Sequence, residues 1–257
     1  MKICMALNSN ILMINGEMVN MLICGLNKTT LLDYPGHVAA TIFLGGCNFR
    51  CPFCHNRDLV FVNEGMEKNL VMNYEEDEIF AFLKKRKGIL TGVCVTGGEP
   101  TLNKELPFFL DKIKSLGYLV KLDTNGYRPE VLKELISREL VDYIAMDIKN
   151  SPLKYGVTTG VAGIDISKIK ESVDYLLSGM APDYEFRTTV VKELHDKNDM
   201  YVIADWINGA KAYYLQSYTD SEGVIETGYH AHDKDTLLNF LQICRTRIPD
   251  TQLRGVD

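Results

Sequence analysis

No apolar run in this 257-residue chain approaches the ~20 residues needed to span a bilayer, so no membrane partner is expected. The N-terminus lacks the pattern of a secretory signal. Asn8, Ser9 and Asn10 interrupt any hydrophobic core, and no small-residue cleavage site follows. These absences place the chain in the cytoplasm. Blocks of lysine and arginine are also missing and the net charge is −6, which disfavours a nucleic-acid partner. No second Cys-x2-Cys pair occurs. Seven cysteines, an odd number, argue against a disulfide framework in a reducing compartment.

What is present describes a soluble protein with a full core: hydrophobic residues make up 46% and charged residues 24%. The length is long for one ordinary domain and short for two, but α/β barrels reach it as a single unit. Residues 1–20 carry no helix or strand period and end before Met21, itself able to serve as a start. They are read as an appended segment, either disordered or a misassigned start, and 21–257 as one domain.

From there apolar runs alternate with helical patterns. The run 38–46 leads into a cysteine loop. Asn73 and Glu76 form a capping-box pattern ahead of Ile79, Phe82 and Leu83 on one helical face. The run 92–98 ends in glycines, as a buried parallel strand does. Leu106, Phe109, Leu110 and Ile113 mark the next helix, with Pro107 tolerated in its first turn. Strands follow at 118–126, 143–149, 183–191 and 212–217. Helices open at Pro129, run through Ile166, Ile169, Val173 and Leu176, span 198–208, and end with Leu237, Phe240, Leu241 and Cys244. Six strand–helix units in a row predict parallel strands with helices outside. Six are too few to close an eight-fold barrel, so the expected fold is an open, partial (β/α)6 barrel. A doubly wound open sheet is the alternative.

Each strand carries polar residues at its C-terminal end, where parallel α/β folds build active sites. They are the cysteine loop, 96-TGGEP-100, 123-DTNG-126, Asp147 with Lys149, Arg187 with Thr188 and Thr189, and Gln216 with Ser217. Plainer readings exist. Gly97 and Gly98 can be a tight turn, and Asp123 and Asn125 ordinary turn residues. Asp147 and Lys149 share a strand face, while Met146 before them and Ile148 between them are apolar. Helices cover the outer face, so the polar pair is expected inward.

Cys47, Cys51 and Cys54 fall at C-x3-C-x2-C spacing inside 45-GGCNFRCPFCHN-56. A zinc site would need a fourth ligand such as His55, but structural zinc sites draw paired ligands from separate knuckles and no second knuckle exists. A simple electron carrier would use four cysteines, the fourth being Cys94. A third reading is a [4Fe–4S] cluster on three thiolates, with one iron left open. Cys4, Cys24, Cys94 and Cys244 read as buried small hydrophobes.

With Phe53 immediately before the last cysteine, this motif resembles the signature of the radical S-adenosylmethionine (SAM) superfamily. TGGEP one strand later and DTNG on the next extend the resemblance from about Met21 to the C-terminus. Within the superfamily, 25-GLNKTTLLDYPGHVAATIFLGGCNFRCPFCHN-56 is similar to glycyl-radical-enzyme activases, most like the activating protein of anaerobic ribonucleoside-triphosphate reductase. The resemblance implies an oxidoreductase in which Cys47, Cys51 and Cys54 ligate three irons and SAM chelates the fourth. Reductive cleavage of SAM would give a 5′-deoxyadenosyl radical that takes hydrogen from a glycine of the partner enzyme. It implies that Gly97, Gly98 and Glu99 meet the SAM amino group and that Phe53 lies near the adenine. Lys149 would pair with the SAM carboxylate or ribose. Asp123, Thr124 and Asp147 match the residue types that hold a monovalent cation in related activases. A methionine of that pattern is replaced here by Ala145. His55 and Asn56 become loop residues, and a flavodoxin or ferredoxin is the implied electron donor.

Rival readings are an activase of the pyruvate formate-lyase type, a radical SAM enzyme for a small molecule, or an iron–sulfur or zinc module without catalysis. After Gln216 the sequence shows one helix and a short tail, and a small open barrel without a lid suits a protein loop as substrate.

Overall fold

The computed structural model describes residues 13–14, 17–18, 21–62, 74–221 and 223–256. Two short strands, β1 (Met13–Ile14) and β2 (Glu17–Met18), pair antiparallel, an element absent from the sequence reading; the rest of 1–20 lies outside the described residues. A single eight-stranded sheet runs from Ile23 to Arg254. Its strands are β3 (Ile23–Thr30), β4 (Ala39–Leu44), β5 (Gly92–Gly97), β6 (Leu119–Thr124), β7 (Tyr143–Asp147), β8 (Asp183–Val190), β9 (Tyr213–Ser217) and β10 (Thr251–Arg254). Helices α1 (Arg57–Val60), α2 (Glu76–Lys85), α3 (Leu106–Ser115), α4 (Pro129–Ser137), α5 (Tyr155–Thr159), α6 (Ile166–Leu177), α7 (Lys197–Trp206) and α8 (Lys234–Arg245) connect them.

The strand order is sequential, from β3 at one edge to β10 at the other. A doubly wound sheet reverses its winding at a switch point. No reversal occurs here, so every crossover returns in the same sense, as in a barrel. The parallel set β4–β9 contains the six strands expected from sequence. The two edge strands do not pair with each other, and the barrel stays open.

Alternation along the strands divides the sheet into two chemical faces. Ile42, Val93, Val95, Val120, Leu122, Ile144, Met146 and Phe186 are fully buried. They belong to the core with Leu106, Leu110 and Ile113 of α3 and Leu132 and Leu135 of α4. The intervening positions Cys94, Lys121, Asp123, Glu185 and Arg187 form a polar column on the opposite face.

Three local differences from the sequence reading have physical causes. The capping expectation at Asn73 lies outside the described residues; α2 opens at Glu75, whose N–H donates to Glu78 Oε2 at 3.1 Å. The antiparallel edge β3 was not read as a strand because much of its length is exposed, with no period-two pattern. The tail read after 248 contains β10, which has one leucine in four residues. Tertiary contacts hold it. Arg254 forms two bonds to the buried Glu185 carboxylate at 2.7 and 2.9 Å, and its guanidinium lies 3.4 Å from the Tyr214 ring centroid.

Candidate functional site

The cysteine loop leaves β4 and is gripped from three sides. Gly46 N donates to Leu59 O at 2.7 Å, Arg50 N to Thr159 O of α5 at 2.8 Å, and Glu226 N to Pro52 O at 2.8 Å. Phe53 packs edge-on against Tyr218, with ring centroids 6.5 Å apart. The stretch after β9, read from sequence as one helix and a short tail, thus walls the loop. Cys54 N donates to Cys51 O at 3.0 Å, and Phe49 N points at Cys47 Sγ at 3.4 Å.

Beside this loop β5 ends in Gly97 and Gly98. Gly97 has φ +123°, and a side chain on Gly98 would come within 2.0 Å of Gly46 O. The two glycines therefore let the TGGEP strand end lie directly against the cysteine loop. Asn56 Nδ2 adds a bond to Gly97 O at 3.3 Å.

Glu99 is 1% exposed. Its Oε1 accepts from Thr101 N at 3.1 Å and Thr124 Oγ1 at 2.7 Å, and its Oε2 accepts from Asn125 N at 2.6 Å. Burial raises its pKa, and these neutral donors oppose the rise. Among the described residues no basic side chain forms an ion pair with it. A buried carboxylate with neutral donors and no cation is an incomplete arrangement, and a ligand bearing positive charge would complete it.

Across the cavity the carboxylates are fully matched. Arg187 Nη1 meets Asp123 Oδ2 at 3.2 Å and its Nε meets Asp147 Oδ1 at 2.9 Å. Lys149 Nζ reaches Asp147 Oδ2 at 2.9 Å, and Lys121 pairs with Asp123. Burial pushes the Asp147 carboxyl up, but Arg187 and Lys149 outweigh it and hold it at about 2. Asp123 is likewise lowered, with Arg187 and Lys121 overcoming burial. Burial alone would favour a neutral Lys149; Asp147 and its neighbours instead hold the ammonium charged.

The residues expected from sequence to hold a monovalent cation are engaged with protein partners. The cation was placed between Asp123 and Asp147 to relieve their repulsion. Arg187, named from sequence only as a strand-end residue, spans the two carboxylates and already relieves it. The Thr124 hydroxyl donates to Glu99 instead of completing such a site.

The strand ends enclose a cavity of about 260 Å3. Cys47, Cys51 and Cys54 line it with Phe53, Gly97, Gly98, Glu99, Asp123, Thr124, Asp147 and Lys149, whereas the strand-end residues Thr188 and Ser217 do not. His55, Arg187, Thr189 and Gln216 line it too. Arg187 had a readable signal: a charged residue between the buried Phe186 and Thr188, on the same parity as Glu185. Cys94 does not line the cavity; it is fully buried, with Sγ 3.8 Å from Lys121 Nζ and 3.9 Å from Asp123 Oδ1.

As bare thiols Cys47 and Cys51 hold their protons. Burial pushes Cys47 up to about 11 and Cys51 up to about 12. A bound metal centre is what would turn them into thiolates. Among the described residues no three His, Cys, Asp or Glu side chains are arranged to hold a single metal ion. His55, the proposed fourth zinc ligand, gives its Nε2–H to Thr219 O. The donor set therefore fits a larger thiolate-bound group better than one tetrahedral zinc.

The barrel resembles solved structures at sequence identities too low to carry more than the fold. It matches the crystal structure of Streptococcus suis SuiB bound to S-adenosylmethionine with a TM-score of 0.63 at 14% identity, over 82% of this chain and 48% of that one. It matches native anSMEcpe with bound AdoMet with a TM-score of 0.55 at 18% identity, over 79% and 57%. Sequence relatives are nearer. A Methanocaldococcus jannaschii protein named "Putative glycyl-radical enzyme activating enzyme" is 34% identical over 210 residues, 80% of this chain and 83% of its own. A "Probable GTP 3′,8-cyclase" of Thermococcus kodakarensis is 31% identical over 153 residues, 58% of this chain and 46% of its own. A 7-carboxy-7-deazaguanine synthase of Aquifex aeolicus is 36% identical over 86 residues, 33% and 35%. The family model described as the radical SAM superfamily matches residues 41–205, which include the cysteine loop and four of the strand ends around the cavity, and this chain belongs to that superfamily.

Proposed function

We propose that this protein is a glycyl-radical-enzyme activating enzyme whose partner is an anaerobic ribonucleoside-triphosphate reductase. Membership of the superfamily implies a [4Fe–4S] cluster and SAM as cofactors. When bound, the cluster supplies the electron that cleaves SAM reductively and yields a radical able to take hydrogen from carbon. In this reading Cys47, Cys51 and Cys54 hold the cluster and leave one iron for SAM.

The observation that carries the proposal is the charge split of the cavity. On one side Glu99 offers a carboxylate that no basic side chain among the described residues pairs with. On the other, two carboxylates, Asp123 and Asp147, meet three cations, Lys121, Lys149 and Arg187. One side carries a surplus negative charge and the other a surplus positive charge. A zwitterionic amino-acid group, as in SAM, matches both. Glu99 with the Gly97–Gly98 backbone takes the ammonium, and Lys149 takes the carboxylate. Phe53 supplies an apolar wall for the adenine, and Thr124 and Asn125 keep Glu99 oriented. The residues around the cavity exclude water and hold the ligand; none needs to move a proton.

The relative named as a glycyl-radical enzyme activating enzyme, of which this chain covers 83%, supports a glycyl radical enzyme as partner; the choice of the reductase rests on the resemblance of residues 25–56. A cytoplasmic flavodoxin or ferredoxin as electron donor belongs to the same proposal. The second reading, a small-molecule substrate, draws on the cyclase and synthase relatives, which match shorter spans.

Anaerobically reconstituted protein with a strong reductant should convert SAM to 5′-deoxyadenosine and methionine. Mixed with the anaerobic reductase, it should produce an organic radical detectable by paramagnetic resonance. Stoichiometric zinc with no iron, or no cleavage of SAM, would sink the enzymatic reading. Cleavage without a glycyl radical on the reductase, but with one on pyruvate formate-lyase, would move the partner.

A further inference from the structure

Lys149 lines the cavity two positions beyond the end of β7. Ile148 N still donates to Arg187 O at 2.8 Å, but Lys149 has left the ladder. Its N–H reaches only the Tyr155 hydroxyl, at 3.3 Å, and its carbonyl faces the imidazole of His195, with Nε2 at 2.8 Å. His195 lies in the turn after β8 and is 1% exposed. The next residues are tied to the same stretch. Asn150 Nδ2 donates to Leu194 O at 3.0 Å, and Ser151 Oγ to Asp199 Oδ1 at 2.8 Å. The segment that carries Lys149 is therefore held by residues 194–199, and His195 is the group that holds the Lys149 carbonyl itself.

The protons of the ring follow from its partners. Val191 N lies 3.1 Å from Nδ1 and can only donate, so Nδ1 accepts. Val191 O is 3.3 Å from the same nitrogen, but it already accepts from His195 N at 2.9 Å and Leu194 N at 3.1 Å. The ring proton therefore sits on Nε2 and is donated to Lys149 O. Burial lowers the pKa of the ring and so favours this neutral form. A lysine side chain is long and flexible, so where its ammonium stands depends on how firmly its backbone is held. We propose that His195, as the Nε2–H tautomer, is the positioning residue that fixes the Lys149 peptide and so places the Lys149 ammonium for the SAM carboxylate. This role depends on Lys149 receiving that carboxylate, as in the proposed function. A backbone fixed in advance lowers the ordering cost of binding.

Asparagine and glutamine divide the two ring nitrogens between them. His195→Gln can keep a donor near the Nε2 position, whereas His195→Asn keeps only an acceptor near Nδ1. Calorimetry on anaerobically reconstituted protein should find SAM binding about fivefold weaker in His195→Asn and restored to within about twofold in His195→Gln. In a Lys149→Met background, His195→Asn should cost nothing further, because its effect runs through the ammonium. A merely structural defect would weaken SAM binding in both backgrounds. Spectra of wild type labelled with 15N-histidine should show a proton on Nε2 of His195 and none on Nδ1. If His195→Asn fails to fold or to retain iron, His195→Phe, which keeps a ring without the donor, is read by the same cycle. Equal losses in both backgrounds, a glutamine variant no better than the asparagine one, or an Nδ1–H tautomer would overturn this role alone. A Lys149→Met protein that binds SAM as wild type does would overturn the assignment of the carboxylate to Lys149, and this role with it.

Discussion

The two sides of the cavity solve the burial of carboxylates in opposite ways. Among the described residues Glu99 has only hydroxyl and backbone N–H donors, whereas Asp123 and Asp147 have a guanidinium between them and a lysine each. Their proton affinities diverge accordingly: Glu99 is raised by burial, and Asp147 is held at about 2 despite it. Hydrogen bonds can orient a buried anion without neutralising it. The Glu99 side is thereby primed for a cationic group, while the Arg187 side is largely self-contained and presents its surplus charge at Lys149.

Arg187→Met attacks the matched side and should have the largest effect. It leaves Asp123 and Asp147 facing each other without their shared cation, and breaking such a buried pair costs about 3–5 kcal/mol. Denaturant unfolding of the ligand-free protein measures it; a loss within error would mean that Arg187 is not the bridge. Glu99→Gln attacks the other side. Removal of a charge-assisted bond worth about 1.5–3 kcal/mol should weaken SAM binding by roughly tenfold to a hundredfold, read by calorimetry on the reconstituted protein. Unaltered affinity would break the assignment of the ammonium to Glu99.

A pH series sharpens the contrast. Asp147 has a folded pKa below its ordinary 3.8, so its contribution to stability is present above 3.8 and is lost as pH falls toward about 2. Glu99 has the opposite sign. Its folded pKa is raised above the ordinary 4.5, so its contribution is full below that value and declines as pH rises through the folded pKa. The stability of Glu99→Gln relative to the ligand-free wild type should therefore climb as pH rises from 4.5. A flat difference would show that Glu99 titrates normally. The smallest effect is expected from Cys94→Ser. Cys94 lies down the polar column beside Lys121 and Asp123, so iron content after reconstitution should stay at the wild-type level. Loss of iron would make it a fourth ligand.

Much of the site was legible because its signals are local. Spacing alone put Cys47, Cys51 and Cys54 on one loop, and parity with apolar Met146 and Ile148 turned Asp147 and Lys149 inward. Arg187 was visible as a strand-end residue, but its partners come from β6 and β7, far away in sequence, so its bridging position could not be read. The strand β10 was hidden because its four residues carry little intrinsic preference and depend on Glu185 and Tyr214.

The sequence by itself determined the alternation of strands and helices, the polar strand ends and the triad of thiols, because periodicity and spacing are properties of neighbouring residues. Tertiary structure alone decided which charges meet. Ion pairing depends on strand register and on how far the sheet curls, and these follow from packing across the whole barrel. That packing left Glu99 without a cation and gave Asp123 and Asp147 a shared one.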